Sequence, residues 1–295
     1  MPKSNPIRKA LIPVAGLGTR MLPITKAMPK EMLPIGKVPL IQYAIEEIAS
    51  SGIREIILIV APGKNTVQEY FERDTLLENF LEHKGRYQDA ELIRSLSRGT
   101  EISIVQQDQP LGLGHAITCA REVIGNEPFA VILPDAFIAS QRPCIRQLID
   151  CYEVTPGSYI ATREVEPAEY SRFGILKVSA VDDFPYHTGC FRVNGLVEKP
   201  TPASAPSRYG VFGRYLLEPA IFDYIDSTQS QLGHEIQLTD ALDMFCHAFP
   251  VYAVCFEGEH FDVGNELGLL EASVKMGLES REIGNEFRRF LERLV

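Results

Sequence analysis

The fold class this sequence predicts is an open α/β sheet, mixed but mostly parallel, flanked by helices. Three observations predict it. Short apolar, β-branched runs alternate with helix-period stretches through the first 135 residues. The first of those runs leads straight into a glycine-rich turn. And 295 residues, 45% hydrophobic and 23% charged, have the size and composition of a water-soluble globular body that needs no disulfide staples.

Taken in order, Lys9–Val14 reads as a buried strand ending at Ala15-Gly16. Pro39–Ser51 reads as a helix: proline suits its first turn, Ile41, Ala44, Ile45 and Ile48 share one face, and Gly52 stops it. Ile56–Val60 is a second buried strand, so strand, helix and strand form a βαβ unit with a parallel pairing. A strand at Glu101–Gln106, a helix at Gly114–Val123 and a strand at Phe129–Pro134 continue the alternation. The polar stretch Asn65–Arg98 reads as a helix-prone surface insertion. Beyond Tyr159 the texture changes to short strands at Tyr159–Val165, Phe173–Val178, Asn194–Glu198 and Val211–Leu217, a subregion built onto the same sheet. A last strand, Val251–Phe256, precedes two closing helices. In the final one Phe287, Phe290, Leu291 and Leu294 make an apolar stripe, which either packs on the body or meets another subunit.

Bulk properties exclude several functions. A net charge of −10 is wrong for a nucleic-acid binder, which needs a basic face, although a few focused cations still suit a small polyanion. No apolar run approaches the ~20 residues of a membrane span, and Met1–Lys9 has no signal-peptide core, so the expected location is the cytoplasm. The six cysteines include no C-x-x-C pair and the histidines no H-E-x-x-H, so free thiols are expected and zinc is not.

The densest signal is Ala15-Gly16-Leu17-Gly18-Thr19-Arg20, placed directly after the first strand. Glycines there let the backbone approach a phosphate. It is neither a Walker A loop, which needs G-K-[ST], nor a dinucleotide loop, whose third glycine is replaced by Met21. That replacement, and the lack of an acid at the end of a second strand, also exclude an NAD-dependent oxidoreductase. Arg20, Lys26 and Lys30 lie within eleven residues of a loop punctuated by Pro23, Pro29 and Pro34. Mutually repelling cations in a restrained loop are explained better by a triphosphate than by solvation.

The run G-L-G-T-R-M-L-P-x-T-K-A-x-P-K-E-M-L-P resembles the signature of bacterial UTP–glucose-1-phosphate uridylyltransferases. Gly112–Ala116, Val131–Asp135, Val197–Pro200, Gly213–Tyr215, Glu235–Asp240 and Phe261–Asn265 extend the similarity along nearly the whole chain, in family order. The resemblance implies a Rossmann-like fold of the nucleotide-diphospho-sugar transferase type. It implies a single domain over 1–295: a nucleotide half at about 8–135, a sugar-phosphate half at about 136–265, and C-terminal helices at about 266–295 that suit a homodimer or homotetramer. It also implies that UTP and glucose 1-phosphate react to give UDP-glucose and pyrophosphate, with Mg²⁺ as cofactor.

By resemblance, Ala15, Gly16, Gly18, Thr19 and Glu31 hold the nucleotide, with Gln107 and Gly112 at the base. Arg20, Lys30 and Lys199 are the catalytic cations, Asp135 and Asp262 the metal ligands. Gly174, Glu198, Lys199 and Val211 line the sugar site. The residue chemistry is apt, since Asp135 ends a buried strand, where open α/β sheets place ligands, and Mg²⁺ favours one or two carboxylates with phosphate oxygens. The chain departs from the usual pattern at Ala136-Phe137, Asp182–Cys190 and Ser207–Phe212, all towards the sugar. Two further readings stand beside this one: a glucose-1-phosphate thymidylyltransferase, whose loop reads nearer S-K-Q-L-L-P, and a non-catalytic regulator that binds nucleotide sugars. Against the regulator, Thr19, Arg20, Lys30, Asp135 and Asp262 are all intact.

Overall fold

A computed structural model describes residues 6–181, 189–228 and 235–294. Thirteen strands are defined in it. The first six are β1 Lys9–Pro13, β2 Pro34–Ile35, β3 Val38–Pro39, β4 Glu55–Val60, β5 Glu101–Gln106 and β6 Phe129–Ile132. They are followed by β7 Ala136–Ala139, β8 Ser158–Glu164, β9 Gly174–Ala180, β10 Cys190–Glu198, β11 Tyr209–Leu217, β12 Val251–Cys255 and β13 Glu259–Asp262. Nine of them form one sheet in the order β5-β4-β1-β6-β11-β8-β12-β10-β9. The pairings β5–β4, β4–β1, β1–β6 and β8–β12 are parallel, and β11 and β10 run against their neighbours. The sheet is thus mixed and mostly parallel, and it runs unbroken across the boundary near residue 135.

Buried strands of this kind need apolar residues on both faces, which is why β4 (EIILIV) and β6 (FAVI) are near-continuous apolar runs. Each face supports its own core. Ile41, Ala44, Ile45 and Ile48 of helix Leu40–Ser50 pack on one side together with Ile145, Leu148 and Ile149 of helix Cys144–Val154. Helices Leu113–Cys119, Ile221–Thr228 and Leu238–Ala248 cover the other. A third, smaller core joins Met21, Leu33, Ile35 and Leu40 to Phe137, Phe261, Val263 and Ala272. It fastens the loop after β1 to the β7/β13 pair and to helix Glu266–Glu279.

The chain passes from β1 to β4 and β5 on one flank and then returns to β6 on the other, so the strand order reverses beside β1. That reversal opens a crevice at the carboxyl ends of β1 and β6. The stretch 65–98 is a surface layer of three helices, Thr66–Phe71, Thr75–His83 and Tyr87–Ser95, with buried Glu78 bound by Arg73 and Arg94. In the last helix, Gly284–Leu291, Phe287 rests on Gly277 while Phe290 remains exposed, as does Leu294 beyond the helix end. The stripe is therefore only half used by the body. All six cysteines are free thiols.

Candidate active site

After β1 the chain makes three 3-10 turns in succession, Thr19–Met21, Ile24–Lys26 and Lys30–Met32. Gly18 starts the first in the left-handed region at φ 65, a conformation that favours glycine. An added Cβ there would meet Thr25 Cγ2 at 3.0 Å and Lys30 Cβ at 3.3 Å. Thr25 Oγ1 closes the loop by donating to the Gly18 carbonyl at 2.8 Å. Ala15 is buried, whereas Gly16 and Thr19 are exposed at the mouth of the crevice.

This folding aims two of the three loop cations at one place. Lys30 Nζ lies 2.5 Å from Asp135 Oδ2, and the Arg20 guanidinium lies 3.8 Å from the same oxygen and 3.6 Å from Asp262 Oδ2. Lys26 is exposed on the second turn and forms no ion pair among the described residues. Of the three loop cations, Arg20 and Lys30 are thus the two that reach the Asp135–Asp262 carboxylates.

The two carboxylates flank the same Arg20 guanidinium although they stand 127 positions apart in the chain, because β7 and β13 pair antiparallel with Asp262 opposite Ala136. Val263 N also donates to the Asp135 carbonyl at 3.0 Å. Asn265 caps the following helix through Gly268 N and donates to the Asp262 carbonyl at 2.8 Å. At Gly264 an added Cβ would stand 2.6 Å from Arg20 Nη2, so glycine there makes room for the arginine.

Electrostatics fix the protonation states. Burial raises the Asp135 carboxyl, but Lys30 and Arg20 outweigh it, so the group is held below the usual carboxylate range and is ionised. For Lys30, burial pulls down and Asp135 and Glu31 push up, with a net rise. Glu31 is different. It is 1% exposed, neither carboxylate oxygen has a hydrogen-bond partner, and burial, against Lys30 at 3.9 Å, lifts it to about 7. Only a shift of the loop would let its side chain touch a nucleotide.

At the end of β5, Gln107 Nε2 donates to the Gly112 carbonyl at 3.2 Å and contacts His115 Nδ1 at 2.9 Å. Gly112 has a packing reason: at φ 101, an added Cβ would sit 2.7 Å from the Ile236 carbonyl.

Beyond Asp135 a cavity of about 200 Å³ is lined by Gly174, Glu198, Lys199, Val211 and Tyr215, with Arg20, Asp135 and Asp262 at one end. Glu198 Oε2 accepts from Thr239 Oγ1 at 2.7 Å, and Lys199 Nζ stands 3.3 Å from Glu198 Oε1. An added Cβ on Gly174 would approach both Glu198 and Thr239 to within 3.4 Å. Lys199 holds φ 44, a left-handed backbone uncommon for a lysine, as strained residues at functional sites often do. A larger groove of about 1030 Å³ lies behind the Asp135 turn, but its five glutamates against Arg142, Arg214 and Lys275 make it unsuited to an anion.

Of the residues that resemblance assigned, Arg20, Asp135, Asp262, Gly174, Glu198, Lys199 and Val211 line one crevice and Lys30 reaches it through Asp135, whereas Glu31 is buried beneath the loop. Four residues given no role in the sequence also belong there. Arg172 Nη2 reaches Asp262 Oδ2 at 3.0 Å, Lys64 Nζ donates to the Gly16 carbonyl at 2.6 Å, Thr239 orients Glu198, and His260 faces the cavity against Phe212. Burial, then Arg214, depresses His260 to about 4, so the ring is neutral at physiological pH. The carboxylate oxygens of Asp135 and Asp262, which line the same cavity, are the donor type that suits a hard cation such as Mg²⁺. Of the three departures, Ala136-Phe137 begins β7, with Phe137 packed against Tyr43 and Phe261. Ser207–Phe212 leads into and starts β11, and 182–188 lie outside the described residues.

The family model for nucleotidyl transferases matches residues 9–278. The chain is 42% identical over 289 residues to the UTP–glucose-1-phosphate uridylyltransferase YngB of Bacillus subtilis (strain 168), covering 98% of this chain and 96% of that one. A structure of UTP-bound UGPase from Acinetobacter baumannii superposes with a TM-score of 0.89 at 36% identity, covering 98% of this chain and all (100%) of that chain. A UDP-glucose pyrophosphorylase complexed with UDP-glucose does so with a TM-score of 0.82 at 36% identity, covering 93% and 100% of the two chains.

Proposed function

The chain belongs to the nucleotidyl transferase family, and on that premise we propose that it joins UTP to α-D-glucose 1-phosphate, giving UDP-glucose and pyrophosphate. It is an enzyme of the UTP–glucose-1-phosphate uridylyltransferase kind. The observation that supports the site assignment is the convergence of Arg20, Lys30, Asp135 and Asp262 at the Glu198–Lys199 pocket, with Gln107 assigned to the base by its amide chemistry.

The chemistry is in-line attack of the sugar phosphate oxygen on the α-phosphorus of UTP, with pyrophosphate leaving and no covalent intermediate. No protein nucleophile is needed, because the attacking oxygen is already anionic. Catalysis is then positioning and charge neutralisation. Asp135 and Asp262 would hold Mg²⁺, which supplies charge neutralisation for the phosphates when bound. Lys30 and Arg20, resting on those carboxylates, would turn to the β- and γ-phosphates. Lys199 would screen the repulsion between two anions brought within bonding distance. Glu198, fixed by Thr239, would accept hydrogen bonds from the sugar hydroxyls.

A cytoplasmic location goes with this reading. So does self-association, for which Leu267 and Leu270 of helix Glu266–Glu279 and Phe290 of helix Gly284–Leu291 supply exposed apolar side chains. In the test, Asp135→Asn and Asp262→Asn are compared with the parent for pyrophosphate release across a Mg²⁺ series, with UTP and then dTTP. The expected outcome is metal-dependent release that favours UTP and is lost in both variants. Retained metal-dependent turnover in either would remove that residue from the site, and equal rates with dTTP would remove the base assignment.

A further inference from the structure

We propose that the buried Glu47–Arg214 pair is a positioning device that sets the geometry of the Asp135–Asp262 metal site without touching substrate or metal. The proposal rests on the reading of those carboxylates as Mg²⁺ ligands. Arg214 is 2% exposed. Its Nε and Nη2 grip Glu47 at 2.9–3.1 Å, while Nη1 donates to the Leu133 carbonyl at 2.9 Å and the Gly213 carbonyl at 3.3 Å.

The Leu133 carbonyl is the hinge of the arrangement. It also accepts from Ala136 N at 3.2 Å, closing the turn Leu133-Pro134-Asp135-Ala136 that presents the carboxylate. Arg214 therefore holds the first residue of that turn from behind. The turn's own Asp135 carbonyl accepts from Val263 N, next to Asp262. A displacement at Leu133 would be passed through two hydrogen bonds to the spacing of both acids. Gly213, at φ 64, lets β11 come this close: an added Cβ would meet Leu133 Cβ at 3.0 Å and Ala136 Cβ at 3.1 Å. Glu47 extends the brace, because its Oε1 accepts from Ile145 N at 3.1 Å, at the start of helix Cys144–Val154. One carboxylate thus ties together two helices and, through Arg214, the end of β6.

A merely structural ion pair would lie anywhere in the core. This one directs Nη1, beyond its bonds to Glu47, at the carbonyl two residues before Asp135. A planar fork is needed to serve Glu47 and Leu133 together, and a lysine cannot do both.

The experiment uses the full chain with UDP-glucose bound and Mn²⁺ as the probe, read by electron paramagnetic resonance, beside thermal melts and steady-state kinetics. Glu47→Gln, which keeps the shape, and Arg214→Lys are compared with Asp135→Asn. The expected result is a rise of about tenfold or more in the Mn²⁺ dissociation constant for Glu47→Gln and Arg214→Lys, as losses around metal ligands commonly give. The same variants should lower kcat while the KM for UTP moves less than twofold. If Arg214→Lys does not fold, Glu47→Gln alone decides. A lower melting temperature with unchanged Mn²⁺ affinity and kcat would make the pair structural only and overturn the proposal. Unchanged Mn²⁺ affinity in Asp135→Asn would instead overturn the metal reading, and the proposal with it.

Discussion

Lys30→Met separates the role of a charge from the role of a stem. The methionine keeps the aliphatic part that packs beside the Gly16 and Gly18 backbone and removes only the ammonium. In the free protein that ammonium neutralises Asp135 at 2.5 Å and faces Glu31 at 3.9 Å. Breaking a fully buried pair costs about 3–5 kcal/mol. Here both side chains keep about a fifth of their surface exposed, Arg20 remains 3.8 Å from Asp135, and Glu31 can take up a proton. The stability loss should accordingly be nearer 1–2 kcal/mol, roughly a few degrees of melting temperature. In the reaction the same ammonium faces charge that grows on the leaving pyrophosphate. Removing one such preorganised group costs about 2.7–4 kcal/mol, or roughly 10²–10³ in kcat. Continuous pyrophosphate release at saturating UTP and glucose 1-phosphate, beside a thermal melt, measures both. A folded Lys30→Met protein turning over within about threefold of the parent would refute the reasoning.

Two more outcomes follow from single residues. Glu31 titrates near 7 in the fold instead of 4.5, so its contribution to stability is fully present below 4.5 and is lost as pH rises through 7. The gap corresponds to about 3 kcal/mol, so the melting temperature of Glu31→Gln relative to the parent should climb between pH 5 and pH 8, and a flat difference would contradict the burial argument. Gly112→Ala places a Cβ 2.7 Å from the Ile236 carbonyl on a left-handed backbone, about 1–3 kcal/mol of strain. Because Gln107 donates to the Gly112 carbonyl, the effect should fall on the KM for UTP and spare the KM for glucose 1-phosphate.

The parallel half of the sheet was legible because β1 and β4, covered on both faces, read as near-unbroken apolar runs, and the edge strand β5 reads as a short polar–apolar alternation. Lys9–Val14, Ile56–Val60 and Glu101–Gln106 match β1, β4 and β5 to within a residue. Phe129–Pro134 ran two residues too far, into the turn that carries Asp135. Helix Gly114–Val123 is in fact interrupted at Ala120, giving Leu113–Cys119 and Arg121–Ile124. The antiparallel half was harder: β10 begins at Cys190, four residues before the expected Asn194, because alternation is broken by a bulge at Val193–Gly195. Helix Cys144–Val154 was missed although Cys144, Ile145, Leu148 and Ile149 share a face. The β7/β13 pair had no local signal, since each partner is four residues long and they lie over a hundred residues apart. The site divides the same way. Motif resemblance reached Arg20, Lys30, Asp135 and Asp262, but Arg172, Lys64 and Arg214 gain their roles from neighbours distant in sequence.

The central claim is that this crevice unites a nucleoside triphosphate with a sugar 1-phosphate. The most direct test follows pyrophosphate release by the unmodified protein with UTP, glucose 1-phosphate and Mg²⁺, omitting each in turn and replacing glucose 1-phosphate by galactose 1-phosphate. Release that requires all three, and UDP-glucose as the co-product, is the predicted result. No release with any sugar phosphate, from folded protein that binds UTP, would contradict the account and leave a nucleotide-binding regulator in its place.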